Sequence, residues 1–402
     1  MLLEYSVEKP LNREPPVEEL VKSFITKAST AYDRNHGPLP HINADSHYVR
    51  LDGAVSNVLE LSIASLRNDF KQYEVISALQ CAGNRRHTMR TELKEVDGID
   101  WNDGAVCNCT WGGPLLADVL TKAGVTIEGD AHVAFSCMQT DCQEDRYYGS
   151  SISLARCMDP KSRVMLALDM NGSPLNINHG APVRIVMPGI PGARWTKWLD
   201  RITVQRQESN NFYMQHDYKI LPPFIETRAQ AKSYWHLVPP LQSMPINSVI
   251  AYPARNEVIK LDNLINGELE VAGYALPDGD SGPVVKVEIS IDQGKSWKEA
   301  KIMYPDAAEV AEDDGVDKYK WGWSIWKYRM NADDTRRIKK DTKIWSRALD
   351  RGGNLQKGDI EWNLRGVGYN GYGEVKGLEV IDHAISECEE PTRRMAELSV
   401  SA

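Results

Sequence analysis

The chain has 402 residues, 42% of them hydrophobic and 26% charged. That profile excludes disordered, collagen-like and low-complexity classes, and the length predicts two or three domains. With 47 basic against 56 acidic residues the net charge is −9, which argues against a nucleic-acid binder.

Pro15-Pro16 precede apolar Val17, Leu20, Val21, Phe24, Ile25 and Ala28, a spacing that predicts an amphipathic helix over 16–28. The polar run from Tyr32 to Pro38 predicts a loop. Strands are predicted at 48–51, 59–63 and 75–80, the last running into Cys81-Ala82-Gly83-Asn84-Arg85-Arg86. Gly112-Gly113-Pro114 opens a predicted helix with Leu115, Leu116, Val119 and Leu120 on one face and Gly124 as its C-cap. Asn171-Gly172 predicts a hairpin turn, and 183–187 a further strand. Prolines at 222, 223, 239, 240 and 245 predict an extended connection, which places a domain boundary near 245. Beyond it, short strands separated by turn residues predict an all-β, immunoglobulin-like sandwich over 246–390, followed by a tail of 391–402. Within it, Ser290–Trp297 fits S-x-D-x-G-x-x-W, a turn-forming box expected to serve folding. The acidic run from Glu309 to Asp317 reads as a solvated loop.

No stretch approaches the ~18 apolar residues of a membrane span, and acidic residues interrupt the short apolar start, so no secretory signal is expected. Seven cysteines, an odd number on a long chain, predict a reduced, intracellular protein. Cys81 ends a buried strand and opens a loop with two arginines, a setting that favours a reactive or metal-binding thiolate. The alternative, a buried core cysteine, stays open on spacing alone. Arg34, Arg85, Arg86, Arg90, Arg184, Arg194 and Arg365 are candidates for anion recognition, against surface ion pairs as the plain alternative. Cys107 with Cys109, and Cys137 with Cys142, lack structural zinc spacing, and Cys157 and Cys388 carry no signal. His36 and His179 are ligand candidates, whereas His47, His87, His132 and His236 read as ordinary. Nucleotide-binding loops and the serine-hydrolase and zinc-protease motifs are absent.

Leu79–Arg86, taken with Arg34-Asn35-His36-Gly37-Pro38, resembles the eukaryotic sulfite oxidase family. His179–Arg184, Lys197-Trp198-Leu199, Asp217-Tyr218-Lys219 and Trp362–Gly366 extend the resemblance, in family order, over about residues 10–385. It implies an α+β molybdenum-cofactor domain over 1–245, then an immunoglobulin-like dimerisation domain and hence a homodimer. It implies Cys81 as the protein's ligand to molybdenum. Contacts to molybdopterin are implied at Tyr32, Asp33, Arg34, Asn35, His36, Asp141, His179, Arg184, Lys197, Trp198 and Leu199. A catalytic pocket for sulfite is implied at Arg34, Arg86, Trp101, Tyr218 and Arg365, with sulfate as the product.

About 30 residues precede the Arg34 loop and no His-Pro-Gly-Gly heme loop occurs, so the resemblance is to the heme-free plant-type enzyme. That implies no heme, no flavin and oxygen as electron acceptor. Val400-Ser401-Ala402 is not a peroxisomal tripeptide, which leaves peroxisome, cytoplasm and mitochondrion open. The alternatives are the molybdenum domain of a nitrate reductase and a non-catalytic immunoglobulin-like binding protein. Neither a nucleic-acid nor a membrane partner is expected.

Overall fold

A computed structural model describes residues 4–7, 9–305 and 316–382 of the chain. Cys388, the tail 391–402 and most of the acidic run lie outside the described residues.

In the first part of the chain two sheets share one core. Tyr48–Gly53 pairs in parallel with Arg201–Gln205 and antiparallel with Leu59–Ser62, and His132–Cys137 and Tyr148–Ser153 complete a five-stranded sheet. The second sheet is built on the long antiparallel pair Gln72–Gln80 and Val106–Pro114, extended by the hairpin Asp169–Met170 and Ser173–Pro174 around Asn171-Gly172. Leu51, Leu66, Trp111, Phe135, Trp195 and Ile202 lie in the core between them. The predicted helix after Pro114 spans Leu116–Ala123, and Gly124 at φ 69° caps it through bonds to the Leu120 and Thr121 carbonyls. Helices are few, so the α+β domain is mainly sheet and loop.

The helix expected over 16–28 is confined to Val17–Leu20. The later turns spend their backbone groups on tertiary partners instead. The Phe24 carbonyl accepts from Asn108 Nδ2 at 3.0 Å and from Trp323 Nε1 at 2.8 Å, and Thr26 N–H donates to the Asn108 carbonyl at 2.8 Å. Leu20 still packs where the periodicity placed it.

Seven antiparallel strands form the second domain, in the order Asn247–Tyr252, Leu269–Leu276, Ser324–Met330, Lys298–Met303, Val284–Ser290, Ile344–Asp350, Gly373–Val375. The sheet curls until its ends face each other, with Ser248 Oγ 2.8 Å from Ser346 Oγ. Val271, Val287, Trp326, Ile344 and Ala348 fill the interior. In the Ser290–Trp297 turn, Asp292 accepts from Ser290 Oγ, Ser296 N and Ser296 Oγ, and Gln293 and Gly294 take positive φ. That is the folding role expected of it.

The domains meet through an apolar seam of Leu20, Ala78 and Val106 against Val249, Tyr274, Leu276, Trp323 and Ile325. Strand Gln72–Gln80 is fastened to the second domain by Ala78 N–H to the Trp321 carbonyl at 2.8 Å. Cys81 follows that strand directly.

Candidate active site

Cys81 leaves the strand into a tight turn. Its N–H bonds the Ala105 carbonyl at 2.9 Å, and Asn84 N–H bonds the Cys81 carbonyl at 3.0 Å. Arg85 closes the turn at φ 66°, a left-handed conformation that costs a non-glycine residue of order 1 kcal/mol or more. Its guanidinium offsets that strain. It donates to Asn247 Oδ1 and the Gly371 carbonyl at 2.7 Å and to the Tyr372 carbonyl at 2.9 Å, all in the second domain. Arg85 is therefore an interdomain clamp, outside the anion role open to it in the sequence.

Arg86 starts the helix Arg86–Glu92 and folds back over the turn. A Cβ at Gly83, Gly98 or Gly366 would collide with its side chain, so three glycines form its groove. Arg86 donates to the Arg365 carbonyl at 3.0 Å and the Ile99 carbonyl at 2.6 Å.

Two adjoining cavities share Arg34, His36, Cys81 and Tyr218 in their walls. The inner one continues to Tyr32, Asn35, His179, Arg184, Lys197 and Trp198. In its wall His179 Nε2 and Arg184 Nε are buried without partners, and so is Asp33 Oδ1 next to His179. Leaving such groups unsatisfied costs roughly 1–3 kcal/mol each, so the cavity is built for a polar ligand. His179 Nδ1 is 2.9 Å from Asn176 Oδ1, which fixes its proton there and leaves Nε2 as a bare acceptor, 3.8 Å from Asp33 Oδ1. Burial holds the His179 imidazole down at about 3, and burial with the nearby Arg184 pushes Lys197 down to about 7. Two acceptors at one place and two cations at another match the N–H groups and the phosphate of a pterin cofactor.

The outer cavity adds Arg86, Trp101, Asp97, Asp217 and Arg365. Trp101 is fully buried with an unpartnered Nε1–H. Arg365 arrives from the second domain and donates from Nε at 2.8 Å and from Nη2 at 2.6 Å to Asp217 Oδ1. Tyr218 Oη is 2.6 Å from His36 Nε2, and His36 Nδ1 is 3.2 Å from Arg34 Nη2. Burial, with cations Arg34, Arg365 and Lys197, holds His36 well below the usual imidazole range. Burial pushes the Tyr218 hydroxyl up to about 12 and raises the Cys81 thiol despite Arg34 and Arg86.

Three expected contacts lie outside the cavity linings. Asp141 is exposed and lines neither cavity: the backbone there packs against Gly37, and its neighbours Thr140 and Cys142 face the inner cavity. Leu199 is wholly buried away from both, its carbonyl accepting from His47 Nε2 at 2.8 Å. Asp33 also lies outside the lining, though its free oxygen faces His179. Arg194 spends its guanidinium on the Tyr213, Tyr218 and Leu241 carbonyls and holds the Tyr218 backbone. Arg90 braces the loop of Glu95 to Gly98. Sequence reasoning missed Asn12, which accepts from Arg34 at 3.1 Å, and Asp97, which lines the outer cavity; only the Asp97-Gly98 turn dipeptide pointed to the latter.

Comparison with known proteins agrees with this architecture. Residues 36–213 match the oxidoreductase molybdopterin binding domain, and 238–378 match the Mo-co oxidoreductase dimerisation domain. Sulfite oxidase of Arabidopsis thaliana is 36% identical over 377 residues, covering 91% of both chains. Human mitochondrial sulfite oxidase is 37% identical over 382 residues, 93% of this chain, and the chain spans 65% of that protein's length. An NADPH nitrate reductase of Fusarium oxysporum is 32% identical over 95% of this chain and 43% of its own length. The solved sulfane dehydrogenase SoxCD of Paracoccus pantotrophus shares the fold, with a TM-score of 0.72 and 22% identity over 95% of this chain and 90% of its own. The fold and site define a molybdopterin oxidoreductase. Within that class, the chain belongs to the sulfite oxidase family.

Proposed function

We propose that the protein oxidises sulfite to sulfate, with the residues above holding cofactor and substrate. One observation carries the reading: Arg34, Arg86, Arg365 and Tyr218 line, with Cys81, one cavity that adjoins the cavity of His179, Arg184 and Lys197. When bound, molybdopterin would supply a molybdenum centre that takes two electrons as sulfite gains an oxygen atom.

The chain's own part is positioning and charge. Cys81 would hold the metal by its thiolate, the proton leaving on metal binding as it does for a coordinated thiol. Arg184 and Lys197 would take the phosphate, and Asp33 and His179 the pterin N–H groups. Tyr32, Asn35 and Trp198 would complete the inner wall. Arg34, Arg86 and Arg365 would hold the substrate anion, with the free Trp101 N–H beside them.

Arg34 only donates, so the 3.2 Å contact makes His36 Nδ1 the acceptor. The single imidazole proton then sits on Nε2 and is donated to Tyr218 Oη. With that oxygen already accepting, the Tyr218 proton is free to point into the cavity as a donor.

With oxygen as acceptor, sulfite, water and oxygen give sulfate and hydrogen peroxide, and the electrons balance. We further read the region after 245 as the dimerising half, giving a homodimer. Nitrate reduction is the second reading, supported by the Fusarium relative. Sulfite ionises to a dianion and nitrate is a monoanion, so a third guanidinium favours sulfite. None of the described helices is long and apolar enough to cross a membrane. Elemental analysis of the purified protein tests the cofactor, and sulfite-dependent turnover tests the reaction. Protein without molybdenum, or nitrate turned over faster than sulfite, would refute the reading.

A further inference from the structure

Arg365, the guanidinium that the second domain brings to the cavity, is not free to meet an anion. Asp217 takes its Nε and Nη2. Its Nη1 lies 3.2 Å from Asp97 Oδ2. Asp97 is itself built into place. Its N–H bonds the Leu364 carbonyl at 2.8 Å, which fixes it beside Arg365 across the domain boundary. The two residues that follow it, Gly98 and Ile99, form the groove and the carbonyl that hold Arg86.

Asp97 has a second cationic partner. Arg228 reaches it from the rim of the same cavity, donating to Oδ1 from Nη2 at 2.9 Å and to Oδ2 from Nε. The pairing is bidentate, whereas Arg365 offers Asp97 one nitrogen. The chain of charges therefore runs Arg228, Asp97, Arg365, Asp217, outside to inside.

We infer that Arg228 is a positioning residue for substrate binding: by sharing both oxygens of Asp97, it weakens that carboxylate's hold on Arg365 and so its competition with the substrate anion. This rests on the sulfite reading for the identity of the anion. The argument is one of competition. An arriving dianion must replace carboxylates around Arg365, and each carboxylate held elsewhere is a weaker rival. Without Arg228, Asp97 has Arg365 as its cationic partner and grips it harder. Arg228 is exposed along much of its side chain, so the effect is modest.

The test is a double-mutant cycle on the holoenzyme, with Arg228→Gln, Asp97→Asn and both together. Arg228→Gln is expected to raise the KM for sulfite and the Kd for sulfate by about threefold, the scale of an exposed ion pair, with kcat within twofold. In the Asp97→Asn background the same change is expected to have no effect on either constant. A purely long-range loss of positive charge would act equally in both backgrounds and would overturn the inference. So would an unchanged KM and Kd in Arg228→Gln. Sulfate binding is read by calorimetry without turnover, so an enzyme inactive on sulfite refutes the proposed reaction while the cycle on sulfate affinity still decides the role of Arg228.

Discussion

His36 Nε2 lies 2.6 Å from Tyr218 Oη, joining two residues 182 positions apart in the sequence. The bond orders the proton of the one hydroxyl in the shared cavity wall, since Arg34 already claims Nδ1. His36→Phe keeps the aromatic packing against Tyr148 and Tyr213 but deletes both bonds. It is expected to lower kcat/KM about tenfold, the ~1.4 kcal/mol of one hydrogen bond. His36→Gln, which can still donate near Nε2, should recover part of that loss. Steady-state kinetics on the pair, with Tyr218→Phe as reference, decides it.

Cys81→Ser is expected to abolish sulfite oxidation in a folded protein. Serine is a harder, less readily ionised ligand. The contacts proposed for the pterin at His179, Arg184 and Lys197 are independent of the thiol, so pterin should still be recovered from the variant. Fluorescence of released pterin and a thermal melt accompany the assay, and turnover like the parent's would remove Cys81 from the reaction.

Arg365→Met is expected to raise the KM for sulfite by about 10- to 150-fold, the 1.5–3 kcal/mol of a lost charged hydrogen bond. Asp217 loses its ion-pair partner in that variant, so stability also falls. Arg365→Lys keeps the charge and separates the two effects. A KM unchanged in Arg365→Met would leave the arginine as an interface brace only.

Lys197 predicts a pH dependence for cofactor-free protein. Its folded value is about 7, below the ordinary lysine value. Between those values the unfolded chain binds the proton and the folded chain does not, so folding stability falls as pH is lowered towards 7 and levels off below it. Lys197→Met lacks this penalty. Its melting temperature relative to the parent should therefore rise from pH 9.5 to pH 7, and loading with the anionic cofactor should shrink the difference. A gap independent of pH would mean that the ammonium is already well solvated or paired.

If oxygen is the acceptor, the purified holoenzyme should show no heme absorption and should form one hydrogen peroxide per sulfite consumed. Peroxide measured against oxygen uptake checks the ratio. Sulfite oxidation only on addition of an artificial or protein carrier would replace oxygen in the scheme.

The parts of the site that the sequence displayed are those held in contiguous runs. Cys81 to Arg86 is a strand end followed by a glycine turn, and its chemistry is visible in the residue types alone. The Arg34–His36 run and the Asp217-Tyr218 pair were assigned from resemblance, and the structure brings them to the same wall. What stayed hidden depends on distant partners. Asp97 acquires its meaning from Arg365 and Arg228, both of which lie far from it in sequence. Arg85 and Arg86 are neighbours of the same type, yet one clamps a second domain and the other lines a pocket. Periodicity placed Leu20 in the core but could not show that Asn108 and Trp323 would take the backbone bonds of the following turns. Asp141 rests on the resemblance alone, and its exposed side chain lies outside both cavity linings.

Gly368 N–H donates to the Ala82 carbonyl at 2.8 Å, one residue beyond the thiol. Together with the Arg85 clamp, this makes the turn that presents Cys81 common property of both halves of the chain. A front half cut free near residue 245 would keep Arg184, Lys197 and His179 and lose the scaffold that aims the Cys81 sulfur. The two halves can be drawn as modules, but they cannot be exchanged as such: a foreign second half would serve only if it returned a glycine to Ala82 and carbonyls to Arg85. Drift in the second half of the chain can thus reach the Cys81 turn with no residue of the cavity walls changed.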